Sequence, residues 1–248
     1  MTWSYDAIAD VYATDMGRSM PFDDVGWYRA FCRDQNGAVL ELGCGTGRIL
    51  VELLTAGLDV VGADRSLPML QRLRADAAAR GLAANVLQMD LRATAVNARF
   101  ATILLPYSLI TYLTDPRVAA TVLAGLRPLL TDDGCVVLDA FVPKPVESFA
   151  DFRLDYRRAH DNGFLERRKR ITANDDGTNR IERQYRVLAA DDTLRQEFHT
   201  DETIRPYAPA QLQALAQQAG YVVQREVRDY SDAPPSADMR FVTLILRP

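Results

Sequence analysis

The sequence predicts an α/β protein built on a seven-stranded, mostly parallel sheet whose last strand runs antiparallel, with a helical N-terminal lid and an inserted antiparallel β flap. Three observations predict it. Residues 38–47 are an apolar run that stops at three glycines spaced two apart, Gly43, Gly45 and Gly47. Strand and helix patterns then alternate as far as Phe141. Beyond Pro143 and Pro145 the pattern changes to strands separated by turn residues, as in hairpins.

Residues 5–12 place Tyr5, Ile8, Ala9 and Tyr12 on one helical stripe, so one face packs inward. Residues 22–31 read as a second helix held down by Trp27, Tyr28 and Phe31. The first strand hands over at the glycines to a helix running from Arg48 to Ala56 and closed by Gly57. A second strand, 58–63, ends at Asp64. Ser66 and Pro68 open a helix that runs to Arg80 and stops at Gly81, since serine caps and early prolines are favoured there. A third strand, 85–89, ends at Asp90, and a fourth covers 99–105. Asp115 and Pro116 open a helix over 117–130, and 134–141 is the fifth strand.

The flap reads as three strands, 164–172, 179–189 and 193–204. Arg and Glu alternate along them, which gives one solvated face, and the basic run 167–170 reads as a salt-bridged surface rather than a phosphate clamp. A last helix, 205–220, and strands 221–230 and 239–246, joined by a loop at 233–236, complete the sheet. The chain thus reads as one domain over 1–248, divided into a lid (1–37), a core (38–142), the flap (143–204) and a closing helix with two strands (205–248). Crossovers of this kind are right-handed and their ligands lie at the carboxyl ends of the strands.

The glycine turn is Rossmann-like but is not a dinucleotide fingerprint. That fingerprint requires Gly-x-Gly-x-x-Gly, whereas here Gly47 comes one residue early and Arg48 stands at the third glycine's place. Glu41 stands two residues before Gly43. A carboxylate there repels phosphate and attracts a cationic ligand.

These residues closely resemble the first motif of the class I S-adenosylmethionine-dependent methyltransferases, Glu/Asp-x-Gly-x-Gly-x-Gly, matched by residues 41–47. Asp64 falls where the family places the carboxylate that takes the cofactor's ribose hydroxyls, and Asp90 where an acid receives the adenine amino group. The Tyr-Asp-x-x-Ala-x-x-Tyr pattern of 5–12 matches a family segment that folds over the cofactor. The resemblance implies a seven-stranded methyltransferase sheet and the cofactor S-adenosylmethionine, with S-adenosylhomocysteine as product. It implies cofactor contacts from Tyr5, Tyr12, Glu41, Gly43, Cys44, Gly45, Gly47, Asp64, Arg65, Met69, Met89, Asp90, Leu91 and Leu105.

The segment after the fourth strand carries Leu104-Leu105-Pro106-Tyr107. Adenine- and glutamine-directed relatives have Asn/Asp-Pro-Pro-Tyr there, so the resemblance points instead to small-molecule enzymes, including the amino-sugar N-methyltransferases of antibiotic pathways. Tyr107 and Tyr112 are candidates to face the transferred methyl, and His199 is the candidate general base. Arg205 and Tyr207 are further candidates for substrate contact. The absence of an acid at the fourth strand's end leaves Asp139 without a metal-ligating partner, which disfavours a magnesium-dependent mechanism.

Composition sets the remaining bounds. A chain of 248 residues with 48% hydrophobic content can bury a sizeable core. Net charge −4 and pI near 5.3 argue against a nucleic-acid partner. No apolar run approaches a membrane span and no signal segment opens the chain. Cys32, Cys44 and Cys135 show no metal spacing and leave one unpaired, which suits a reducing, cytoplasmic compartment. The expectation is a cytoplasmic enzyme, monomer or homodimer, with a small-molecule acceptor and no metal. It transfers methyl to nitrogen in secondary metabolism; small-molecule O-methylation and cofactor binding without catalysis are the alternatives.

Overall fold

The computed structural model describes residues 4–16, 22–231 and 239–248. Its core is a seven-stranded sheet formed by β1 (Val39–Leu42), β2 (Val60–Asp64), β3 (Asn85–Gln88), β4 (Phe100–Leu105), β5 (Leu130–Phe141), β10 (Val222–Arg228) and β11 (Phe241–Arg247). The spatial order is β10-β11-β5-β4-β1-β2-β3. β1 pairs in parallel with β2 and β4, whereas β11 is antiparallel to both β5 and β10. β1 and most of β5 are buried on both faces, as their continuous apolar runs require. The predicted 233–236 loop lies outside the described residues.

Helices α3 (Leu50–Thr55), α4 (Leu67–Ala79), α5 (Pro116–Leu126) and α6 (Pro209–Gln218) pack against this sheet. Their starts follow from local chemistry. Ser66 Oγ accepts the amide of Met69 at 3.4 Å, and Asp115 accepts that of Arg117 at 2.8 Å, satisfying N–H groups that have no intrahelical partner. α6 begins four residues later than its spacing predicts. Arg205 and Ala208 each precede a proline, a position that disfavours helical backbone, and Ala208 is extended, with φ −64° and ψ 154°.

The N-terminal lid consists of a 3-10 turn, Ser4–Ile8, and α1 (Tyr12–Met16), followed by α2 (Asp24–Gln35). The flap is a separate four-stranded antiparallel sheet ordered β6-β7-β8-β9: β6 (Phe149–His160), β7 (Gly163–Ala173), β8 (Asn179–Ala189) and β9 (Leu194–Ile204). Three of these strands correspond to the predicted ones, and β6 is additional. As an edge strand it buries no continuous face, leaves Leu154 60% exposed and carries two register shifts, so it gives no two-residue alternation to read. The 167–170 run is salt-bridged as predicted: Arg167 and Lys169 to Asp155, Arg168 to Glu166, Arg170 to Glu182.

Lid, flap and core meet in a small cluster. Ile8, Ala9 and Val11 pack between Met69 of α4 and Leu165, Tyr185 and Val187 of the flap. The space beneath is the candidate site.

Candidate active site

A cavity of about 830 Å³ lies between the carboxyl edge of the parallel sheet and the flap. On the sheet side it is lined by Gly43, Gly45, Asp64, Arg65, Met69, Met89, Asp90 and Leu91, on the lid side by Tyr5, Tyr12, Asp15 and Met16, and at the β4 end by Tyr107, Ser108, Thr111 and Tyr112. The flap contributes Tyr156, Arg158, Arg167, Arg183, Tyr185 and Glu202.

Gly43 and Gly45 take left-handed backbone, φ 68° and 53°, where side-chain-bearing residues are strained. This lets the chain reverse at the end of β1 with Gly43 N–H donating to Ala63 O at 2.7 Å. A Cβ on Gly45 would come within 3.7 Å of Tyr12 and 3.8 Å of Met69, so bare backbone there leaves room beneath the lid. Asp64, at the end of β2, accepts from Gly45 N at 2.9 Å and Ser66 N at 2.8 Å. Burial raises its pKa while these amides pull it down. The carboxylate is held at the cavity wall with lone pairs to spare. Such an acid beside open backbone fits a ribose diol.

Asp90 is more heavily engaged. Its carboxylate accepts from Arg92 Nε at 3.0 Å, Nη2 at 2.7 Å and the Arg92 amide at 2.9 Å, which holds its pKa down at about 2.

Tyr5 and Tyr112 share a 2.6 Å hydroxyl hydrogen bond, and Tyr5 and Tyr12 pack edge to face with centroids 5.8 Å apart. Burial raises the pKa of all three phenols, so they stay neutral hydrogen-bonding groups.

Several predicted residues stand elsewhere. Glu41, 2% exposed in the middle of β1, is not among the cavity's lining residues. It takes a hydrogen bond from the Leu50 amide at the start of α3, and burial pushes its pKa up to about 8. This corrects the electrostatic reading of that acid: it supports the turn from below and is largely protonated at neutral pH. Cys44, Gly47 and Leu105 also lie behind the wall; a Cβ on Gly47 would fall 2.7 Å from Leu73, so that glycine serves helix packing. His199 does not line the cavity. Its ring, 58% exposed, bonds Glu197 at 3.0 Å, because its β9 register places it among the polar positions of that strand. Arg205 and Tyr207 instead brace the loop after β4, donating to Thr114 O and Leu113 O at 2.5 Å each.

The flap wall went unpredicted. Asp15, 3% exposed, accepts from Arg167 Nη1 at 2.5 Å, Tyr185 OH at 3.1 Å and Tyr156 OH. Arg183 pairs with the buried Glu202 at 2.5 Å. Charged residues alternating along strands read as a solvated face, and only their pairing, Arg167 with the distant lid and Arg183 across to β9, shows which of them turn inward.

Residues 39–134 match the family model described as a methyltransferase domain. The recognised core is thus an enzyme domain. A sequence search of curated proteins finds no significant match. Among solved structures the whole chain is similar to a methyltransferase from Streptomyces caelestis, with 23% identity and TM-score 0.82, covering 99% of this chain and 98% of that one. It is similar to an S-adenosylmethionine-dependent methyltransferase from Clostridium acetobutylicum, with 15% identity, TM-score 0.80 and 98% coverage of each. A third similar structure is an amino pentose methyltransferase from Micromonospora echinaspora involved in calicheamicin biosynthesis, with 19% identity and TM-score 0.71, covering 95% and 96%.

Proposed function

We propose that the protein transfers the methyl group of S-adenosylmethionine to a nitrogen of a small-molecule metabolite, in the cytoplasm and within secondary metabolism. The observation that carries the reading is the make-up of the cavity. One half is a cofactor edge of glycine backbone and Asp64, and the other is a flap wall of tyrosine hydroxyls and paired charges. Asp64 would hold the ribose, Asp90 the adenine amino group, and Tyr12 with Met69 would cover the bound molecule. When bound, that molecule supplies an electrophilic methyl on a sulfonium.

The chain's part is then alignment. Holding the acceptor in line in a site shielded by lid and flap can supply about 7–11 kcal/mol of the barrier in favourable cases. An unprotonated amine needs no base to attack, whereas a hydroxyl does. Among the described residues no histidine or lysine lines the cavity, and its buried carboxylates Asp15 and Glu202 are tied to arginines. This supports nitrogen over oxygen. The antibiotic-pathway amino pentose enzyme among the similar structures supports a polar amine acceptor.

The test is release of S-adenosylhomocysteine with a panel of amino sugars and the same sugars bearing hydroxyl in place of the amine. Turnover restricted to the amines is expected. Turnover of the hydroxyl forms alone would establish O-methylation, and tight cofactor binding without turnover of any acceptor would make the chain a binding module.

A further inference from the structure

The turn after β4 is built against the ordinary preference of its residues. Tyr107 and Ser108 both take left-handed backbone, φ 55° and 61°. Neither is glycine, and such conformations persist only where surrounding structure imposes them. Both residues line the cavity, so whatever imposes the turn also shapes the site.

Asp139 of β5 meets the turn from behind. Its side chain is fully buried and does not line the cavity. Oδ1 accepts the Ser108 amide at 2.7 Å, and Oδ2 accepts Tyr230 OH at 2.6 Å together with Tyr28 OH. Two residues further along β5, the amide of Phe141 donates to Ser108 Oγ at 2.9 Å. The ring of Tyr107 is held from outside: Phe241 stacks on it at 6.2 Å, and the Arg48 guanidinium lies 5.4 Å from its centroid, itself paired to the buried Asp24 at 2.6 Å. An acid with no access to solvent is costly to bury, and an apolar side chain of similar volume would pack the same space. What the acid adds is convergence of donors from α2, from the turn and from the segment after β10.

We propose that Asp139 is a positioning residue for the methyl transfer: it holds the Tyr107–Ser108 turn in the left-handed geometry that sets the wall between donor and acceptor, while touching neither. This rests on the methyltransferase reading above. Asp139→Asn keeps the size but turns an N–H₂ towards donors that need an acceptor. The turn then relaxes. Ser108→Gly removes the backbone strain that Asp139 opposes, so the double variant regains the geometry.

The probe is protein labelled with fluorotyrosine and observed by fluorine NMR with S-adenosylhomocysteine, the Tyr107 resonance being assigned by its loss in Tyr107→Phe. Wild type shows one Tyr107 line. Asp139→Asn shifts or splits it while the Tyr156 and Tyr185 lines stay in place, and Asp139→Asn with Ser108→Gly restores it. Calorimetry shows S-adenosylhomocysteine affinity retained, and turnover of an amine from the acceptor panel falls about a hundredfold, the scale of an ångström-size misplacement. An unchanged Tyr107 line in Asp139→Asn, or a double variant that fails to restore it, overturns the proposal. Should Asp139→Asn alone not fold, the double variant decides by the same two criteria. If wild type does not bind S-adenosylhomocysteine, the functional reading falls, while the Tyr107 line still decides whether Asp139 holds the turn.

Discussion

Arg167 in the flap donates through Nη1 to Asp15 in the N-terminal lid at 2.5 Å, across 152 residues of sequence. The pair sits where the lid leaves the cofactor edge, and Tyr185 and Tyr156 donate to the same carboxylate. The lid is therefore fastened to the flap, and release of a bound cofactor should require that fastening to open. Asp15→Asn should speed S-adenosylhomocysteine dissociation about tenfold, since removing one partner of a buried pair costs about 3–5 kcal/mol, part of it paid on opening. Stopped-flow release measures it. In a cycle with Arg167→Met the two effects should not add; an unchanged release rate in both single variants would show that the lid closes without this pair.

Charge reversal at the end of β2 tests the cofactor edge. Asp64→Lys should abolish S-adenosylmethionine binding, and Asp64→Asn should weaken it by about 1.5–3 kcal/mol, the worth of hydrogen bonds to a charged group. Calorimetry is the readout, and retained affinity in Asp64→Lys would remove Asp64 from the cofactor site.

Glu41 should impose a pH dependence on stability. Its folded pKa of about 8 lies above the ordinary carboxyl value of 4.5, so the folded state binds the proton more tightly than the unfolded chain. The stabilisation is fully present below pH 4.5 and is lost as pH rises to about 8. Glu41→Gln keeps the buried group neutral throughout. Its stability relative to wild type should therefore rise between those limits, by on the order of a few kcal/mol at the alkaline end. Urea melts across the range would show it, and parallel wild-type and variant profiles would contradict the assignment.

Two glycines with left-handed backbone should respond differently to alanine. Gly47 has φ 89° and a Cβ there would meet Leu73 at 2.7 Å and Val51 at 2.9 Å; Gly57 has φ 78° and nothing within 4 Å. Gly57→Ala should cost only the conformational penalty, about 1–2 kcal/mol. Gly47→Ala adds overpacking of about 1–3 kcal/mol. Thermal melts that rank them equally would mean that α3 and α4 shift to make room.

The sheet was legible because burial on both faces forces continuous apolar runs, as in residues 38–42, and because glycines and capping residues mark each handover to a helix. Asp64 and Asp90 were legible because spacing along a parallel strand locates its carboxyl end. Glu41, Cys44, Gly47 and Leu105 share the same motifs, yet a strand's two-residue alternation and the fold of the turn put them behind the wall rather than at it. His199 drew notice only as a rare titratable residue, and register on β9 sends it to solvent.

By itself the sequence determined the strand–helix order of the core sheet and the glycine turn, because these depend on local backbone freedom and on residue spacing. Only the tertiary structure decided which side chains face the cavity. The Asp139 anchor and the Asp15 fastening are contacts across 31 and 152 residues. Their partners are chosen by how the flap and lid pack over the sheet edge, and no local pattern encodes that choice.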